Sequence, residues 1–449
     1  MDSVRTVDII DKKRQGHELS FDELSHMLNG FTKGDIPDYQ MSAFMMAICL
    51  KGMSLCETIW LTKLMIDTGK TLDLSQIPGI KVDKHSTGGV GDTTTLITVP
   101  IVAACGGKVA KMSGRGLSHT GGTIDKLESI PGVCTKRSET ELMDIVNRIG
   151  CCVIGQSKEL VPADKLMYAL RDVTATVASI PLIASSIMSK KIAAGSNAIL
   201  LDVKVGKGAF METLDDARCL AQVMTMIGEE LGVRTIAIIT DMNQPLGLSI
   251  GNRLEVSEAL LLLSGKMTKG NPLYDISTLL AAYMLYLSQV VDTPKDAYPL
   301  IEEAIRSGLA KEKFLSLIEE LGGDTSMLDI NKLENASIKL DIPSDKTGYI
   351  NAVDAHKIGI AAAMLGAGRE KMYDVIDPAV GIILKKRVGD AVMQGESIAT
   401  LYANDTKRLN DVISLTKSAF SFSDIPVTPS PIVHDIITAA PSLAQDVLK

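Results

Sequence analysis

The chain lacks the marks of several protein classes. It has no surplus of positive charge: 46 Lys and Arg stand against 54 Asp and Glu, for a net charge of −8. A surface that grips polyanionic nucleic acid carries a basic stripe. None is visible, so no nucleic-acid partner is expected and the local lysines read as a focused site for a small anion. Seven cysteines are scattered at Cys49, Cys56, Cys105, Cys134, Cys151, Cys152 and Cys219, with no C-x-x-C spacing and none in the last half of the chain. That pattern fits free thiols in a reducing cytoplasm better than a disulfide framework or a zinc site. Met1-Asp2-Ser3-Val4-Arg5 opens with no apolar signal-peptide core. The longest uncharged stretch, Ile276 to Val291, contains Ser277, Thr278, Ser288 and Gln289. It falls short of the ~20 residues a membrane helix needs and predicts a buried helix. A soluble cytoplasmic protein with no membrane partner is expected. What is present is ordinary globular composition, and 449 residues exceed a single core, so two or three domains are expected.

The first 70 residues are predicted helical. Ser20 with Glu23 and Ser54 with Glu57 have the spacing of capping boxes. Pro37-Asp38 starts a very apolar helix that Gly52 ends, which must be buried or face another subunit. From Ile80 the pattern changes to short β-rich runs between helical ones. Candidate strands are 80–83, 108–112, 151–154, 198–203 and 234–240. This alternation predicts an α/β domain with a mixed, largely parallel sheet and ligands at the carboxyl ends of its strands. A helical insertion near 162–191 interrupts the strands and can pack with the N-terminal helices. Expected domains are therefore an all-α domain (1–70 with 162–192), an α/β domain (80–155 with 196–340) and a C-terminal unit (345–449). Crossings near 68–78, 155–161 and 193–196 form a natural hinge.

Two glycine-rich, hydroxyl-rich segments follow predicted strands. One is Lys84-His85-Ser86-Thr87-Gly88-Gly89-Val90-Gly91-Asp92-Thr93-Thr94-Thr95, the other Lys111-Met112-Ser113-Gly114-Arg115-Gly116-Leu117-Ser118-His119-Thr120-Gly121-Gly122-Thr123. Glycines allow sharp turns that present bare N–H groups, helix starts add their dipole, and Lys, Ser and Thr supply donors. A lone loop of this kind is weak evidence, because Ser and Thr are common turn and cap residues. Two such loops point to phosphate or a phosphorylated ligand.

The second loop, continued through Ile124-Asp125-Lys126-Leu127-Glu128, resembles the signature of the thymidine and pyrimidine-nucleoside phosphorylases, and the first resembles their phosphate loop. Ala169-Leu170-Arg171-Asp172-Val173-Thr174-Ala175-Thr176-Val177 and Ile183-Ala184-Ser185-Ser186-Ile187-Met188-Ser189-Lys190-Lys191 resemble the family's base-binding helices. Val380 to Glu396 resembles a biotinyl-type barrel-sandwich hammerhead, without the lysine-bearing turn that carries a swinging cofactor. The resemblance spans essentially the whole chain and is nearest the broad-specificity enzymes of Gram-positive bacteria. Ser118, Lys207 and Ala178 depart from the usual residues, none of them at a constrained motif position.

The resemblance implies reversible phosphorolysis: phosphate displaces a pyrimidine from C1′ of ribose or deoxyribose, with inversion, through an oxocarbenium-like transition state. It implies phosphate binding by Lys84, His85, Ser86, Thr95, Lys111, Met112, Ser113 and Thr123, and base binding by Arg171, Ser186 and Lys190. His85 is the candidate general acid, with a nearby phosphate favouring its charged form; His119 is read as structural. Lys111 can reach the 2′ side of the sugar, so uridine and thymidine are both expected as substrates. A potassium ion at Gly91, Thr93, Leu246, Ser249 and Glu258, and a homodimer through the N-terminal helices, are further implications. No organic cofactor is expected. Alternatives are a strict thymidine phosphorylase, an anthranilate-type phosphoribosyltransferase using magnesium, and a non-catalytic nucleoside or phosphate binder. The acidic pair Asp215-Asp216, which magnesium chemistry would want, reads more simply as a solvated helix face.

Overall fold

The computed structural model describes residues 5–116, 121–157, 159–328, 335–369 and 374–438. Ser118 and His119 lie outside the described residues. Four helices come first: α1 (Thr6–Arg14), α2 (Phe21–Lys33), α3 (Asp38–Lys51) and α4 (Leu55–Asp67). The Ser20/Glu23 and Ser54/Glu57 boxes both form and set the starts of α2 and α4. Pro37 and Gly52 bound α3. Glu57 serves twice, because its carboxylate also holds the buried ammonium of Lys13 at 2.7 Å.

The strands are β1 (Val82–Ser86), β2 (Val109–Ser113), β3 (Cys151–Gly155), β4 (Ala198–Val205), β5 (Arg234–Asp241) and β6 (Ser249–Ile250), each close to its predicted place where one was predicted. Between them run α5 (Thr94–Ala104), α6 (Thr123–Glu128), α7 (Glu139–Ile149), α8 (Pro162–Arg171), α9 (Ile180–Ala193), α10 (Leu214–Glu230) and α11 (Asn252–Leu263). β1, β4 and β5 are parallel neighbours, and β2 and β3 form a second parallel pair. A parallel bridge between Lys81 and Lys108 joins the two. The α12 helix (Pro272–Leu287) covers the predicted apolar run and is largely buried. Among the described residues no helix is long and apolar enough to cross a membrane. Asp215 is almost fully exposed in the first turn of α10, as a solvated face requires.

Helices α8 and α9 turn back to pack on α2, α3 and α4. The chain crosses between this helical body and the sheet at three places that lie side by side. Lys70 N donates to Glu159 O at 3.2 Å, and Leu72 N to Ala193 O at 2.8 Å. Gly69 allows the contact, since a Cβ there would fall 2.5 Å from Glu159 O. Val161, buried at this seam, holds φ at +48°, a conformation costly for a β-branched residue.

The C-terminal unit is small and β-containing. It holds β7 (Ile338–Pro343), β8 (Gly348–Val353), β9 (Gly381–Leu384), β10 (Ala391–Val392), β11 (Ser397–Ala403) and β12 (Phe420–Ser423). It is tied to the α/β body by β6 pairing with β9 and by the last strand, β13 (Val433–Thr438), which adds antiparallel to β5.

Candidate active site

Both glycine-rich loops leave the carboxyl ends of adjoining strands, β1 and β2, and open onto one cleft of about 590 Å³. His85, Ser86, Thr95, Lys111, Met112, Ser113 and Thr123 all line it. Lys84 does not. Its ammonium is fully buried beneath the loop, donating to Thr94 Oγ1 at 2.6 Å and paired with Asp202 at 3.2 Å.

Several donors of the anion wall already have partners. Ser86 Oγ donates to Asp92 Oδ2 at 2.6 Å, and the same carboxylate receives the Thr94 amide and hydroxyl. Burial acts to raise the Asp92 carboxyl, and Lys204, Lys84 and Lys126 outweigh it, holding it well below its ordinary value. Lys111 lies against Asp83 at 3.2 Å and donates to the Lys84 carbonyl. Burial pushes this ammonium down to about 7. In this arrangement it lines the cleft while tied to Asp83 and the Lys84 carbonyl.

The opposite wall comes from α8 and α9. Lys190 Nζ donates to Asp164 Oδ2 at 2.6 Å and to Ser186 Oγ at 2.8 Å. Arg171 is buried, with Nε, Nη1 and Nη2 donating to the carbonyls of Thr176, Leu182 and Val177 at 3.2, 3.1 and 2.8 Å. A guanidinium has five N–H groups, so donors remain for a ligand. Tyr168 lies beneath both cations, 5.4 Å from Arg171 and 5.8 Å from Lys190. Val177, Ile183, Ile187 and Phe210 add apolar surface suited to a flat ring.

His85 stands in the cleft with four lysines around it. Burial first, then the charges of Lys191, Lys111, Lys190 and Lys84, hold its ring well below 6.5. This direction applies without phosphate, whereas the charged form is expected with phosphate beside the ring. A general acid at this position needs an anion beside it to recover its proton.

Four site residues escaped the sequence reading: Asp83, Asp164, Tyr168 and Lys191. Asp83 accepts from Lys191 Nζ at 2.7 Å as well as from Lys111, and Lys191 also donates to the Met112 carbonyl at 2.9 Å. One buried carboxylate thus joins the helix of the base wall to the strand of the anion wall. Asp83 and Lys191 both sit beside other charges in the sequence, Asp83 between Lys81 and Lys84 and Lys191 after Lys190, so nothing local marks them as buried. Which partners they take is a long-range matter that spacing does not encode.

The positions expected for potassium partly converge. Gly91 O accepts from Gly247 N at 3.0 Å, and a Cβ on Gly91 would lie 3.3 Å from Ser249 O. Glu258 is buried and accepts the Leu248 and Ser249 amides at 2.7 and 3.1 Å. These are hard oxygen donors around a buried carboxylate, the donor set a group-I cation takes. Thr93 turns instead to Glu255 at 3.1 Å, and the Leu246 carbonyl is occupied by Arg387 at 2.9 Å. The Gly91 and Leu246 carbonyls thus each already accept one hydrogen bond.

Three family models match in series. A glycosyl transferase family helical bundle domain covers residues 7–69, a glycosyl transferase family a/b domain residues 79–311, and a pyrimidine nucleoside phosphorylase C-terminal domain residues 349–423. The pyrimidine-nucleoside phosphorylase of Geobacillus stearothermophilus is 50% identical over 436 residues, covering 97% of this chain and all of the relative. That of Staphylococcus haemolyticus is 51% identical with the same coverage. Anthranilate phosphoribosyltransferase from Thermus thermophilus shares the fold, with a TM-score of 0.58 at 18% identity over 70% of this chain and 99% of its own. With every segment of the match in order and half the residues identical from end to end, the chain belongs to the pyrimidine-nucleoside phosphorylase family of pentosyltransferases.

Proposed function

We propose that this enzyme cleaves uridine, thymidine and deoxyuridine reversibly with phosphate, giving the free pyrimidine and the sugar 1-phosphate with inversion at C1′. One observation supports this most: a single cleft has two glycine-rich anion loops on one side and Arg171, Ser186 and Lys190 on the other. Opposed walls suit a displacement in which phosphate enters on the face opposite the one the base leaves.

In this reading Ser86, Thr95, Lys111, Ser113 and Thr123 bind phosphate from the α/β side. Lys84 supports the loop from beneath. Arg171 and Lys190 donate to the pyrimidine carbonyl oxygens, where charge accumulates as the C–N bond breaks. Phosphate charges His85, which then serves as the acid. The all-α body (1–70 with 162–192) carries the base side, and closure about the three crossings brings the two sets together. A potassium ion among Gly91, Thr93, Leu246, Ser249 and Glu258 would brace the phosphate loop against the segment that follows β5. Exposed Tyr39 and Leu50, at the two ends of the apolar α3, support a homodimer through the N-terminal helices.

The decisive assay incubates the protein with each nucleoside, with and without inorganic phosphate. Base release only with phosphate, with α-configured sugar 1-phosphate as co-product, is expected. Phosphate-independent release would indicate a hydrolase. Inertness toward uridine alone would restrict the enzyme to deoxynucleosides and leave phosphorolysis standing.

A further inference from the structure

The second glycine-rich loop is closed by a clasp that its own sequence supplies only in part. Gly116 and Gly122 meet so closely that a Cβ on Gly122 would fall 1.9 Å from Gly116 N and 2.5 Å from the Arg115 carbonyl carbon. The Asp125 carboxylate stands over this junction. Its Oδ2 accepts the Gly116 N–H at 2.7 Å, and its Oδ1 accepts from Arg115 Nη1 at 3.0 Å. Both oxygens also receive the fork of one guanidinium from the C-terminal unit: Arg369 Nη1 donates to Oδ2 at 3.2 Å and Nη2 to Oδ1 at 2.8 Å. The Asp125 side chain is 3% exposed. Burial acts to raise its carboxyl, and the hydrogen bonds from Arg369, Gly116 and Arg115 outweigh this and hold it below its ordinary value.

The segment bearing Arg369 is itself anchored. Buried Asn252, the first residue of α11, donates to the Ala367 carbonyl at 2.9 Å. One turn along the same helix, Glu255 takes the Lys126 ammonium at 2.5 Å and the Thr93 hydroxyl. The C-terminal unit, α11 and both anion loops are therefore braced together. Arg115, Gly116, Gly122 and Thr123 line the cleft, while Asp125 and Arg369 lie behind it.

We propose that Arg369 is a positioning residue for the phosphate co-substrate, an inference that rests on the phosphorolysis proposed above. Two effects act in the same direction. A bidentate fork fixes the carboxylate that holds the loop junction, so the donors of the loop face the cleft before phosphate arrives. The guanidinium also neutralises a carboxylate that would otherwise repel a dianion from close range. Without Arg369, Asp125 keeps one partially exposed arginine, Arg115, which is shared with Glu128. The C-terminal unit thereby acts on substrate binding without entering the cleft.

The test is steady-state kinetics of the full-length wild type, Arg369→Ala and Arg369→Lys, varying phosphate at saturating uridine and uridine at saturating phosphate. Calorimetric titration with inorganic phosphate and thermal unfolding accompany it. Arg369→Ala is expected to raise the phosphate KM and Kd about tenfold, the scale of losing an orienting partner behind a ligand, while the uridine KM stays within about twofold. Arg369→Lys, which keeps the charge and loses the fork, is expected to recover part of the loss. Unchanged phosphate KM and Kd in both variants would overturn the proposal. So would equal rises in both KM values with a lowered Tm, which is the pattern of general loosening. If Arg369→Ala does not fold, Arg369→Lys decides alone: a phosphate KM equal to wild type overturns the assignment. A wild type that needs no phosphate sinks the phosphorolysis itself, whereas a phosphate-dependent wild type with unshifted variants sinks only the role of Arg369.

Discussion

Lys190 and Arg171 face one cleft with different obligations. Lys190 is held by a carboxylate and a hydroxyl and anchors no backbone. Lys190→Ala is expected to lower kcat/KM by roughly 10²–10³, the loss typical of one donor to developing charge, and also to cost stability by leaving the buried Asp164 carboxylate without its cation. Arg171 also satisfies three carbonyls around the turn between α8 and α9. Arg171→Ala should lose activity and stability together, since it strips donors from buried acceptors. Wild-type kinetics for Lys190→Ala would remove that residue from the chemistry. His85 gives a pH prediction of definite sign. Its folded ring takes up a proton only at a lower pH than the unfolded ring does, so the native state loses stability as pH falls below about 6.5. Inorganic phosphate should reverse part of this by favouring the imidazolium. Ring NMR of the free enzyme should show no protonation midpoint at the usual 6.5, and phosphate should move the midpoint upward. An ordinary midpoint without phosphate would disprove the crowding by lysines.

At the scale of elements, the central strands carry charge where pattern alone predicts grease. All eight residues of β4 are buried, Asp202 and Lys204 among them, and β1 buries Asp83 and Lys84. Asp83 binds Lys111 and Lys191, so Asp83→Asn would leave two buried ammoniums facing each other with no counter-charge. Breaking a buried pair from one side costs about 3–5 kcal/mol, and urea denaturation of Asp83→Asn should show a loss of that order. A loss under 1 kcal/mol would mean water reaches the pair. The same strands show how far sequence reasoning extends. Their β-branched and apolar runs marked all five early strands to within two or three residues, and Ser20 and Ser54 marked two helix starts. Loops rich in glycine and hydroxyls marked one wall of the cleft, because that pattern is local. Lys191 and Asp83 are 108 residues apart, and Lys190 and Asp164 are 26 apart on different helices. No periodicity links such pairs. The resemblance implies Lys84 as a phosphate ligand, whereas its ammonium is held beneath the loop by Thr94 and Asp202.

For the whole molecule, the division into helical and α/β units was legible from the change of hydrophobic period at Ile80 and back near Pro162, and the small C-terminal unit from the resemblance of Val380 to Glu396 to a hammerhead. The anchoring of the C-terminal unit was not, since β13 on β5 and Arg387 on the Leu246 and Pro245 carbonyls are tertiary contacts. That anchoring bears on the proposed cation, because Arg387 and Glu258 grip the same segment, 245–249, from two sides. Potassium chloride in place of choline chloride, at equal ionic strength, should raise the Tm by mass action. Glu258→Gln should abolish the increment, and an equal increment in the variant would move the ion elsewhere.

The return of α9 to the N-terminal helices sets a delay during synthesis. Ser185 donates to the carbonyl of Thr58, a contact 127 residues apart in sequence. At ~5–20 residues per second, α4 leaves the ribosome roughly 6–25 s before the helix that covers it. Through that interval Leu55, Ile59 and their neighbours, destined to lie against Ile180, Ile183 and Met188, have only water or a chaperone to face. The nascent chain is thus a client for hydrophobic-binding factors until the whole of α9 has emerged, and a ribosome stalled before Ile180 should hold a protease-sensitive chain.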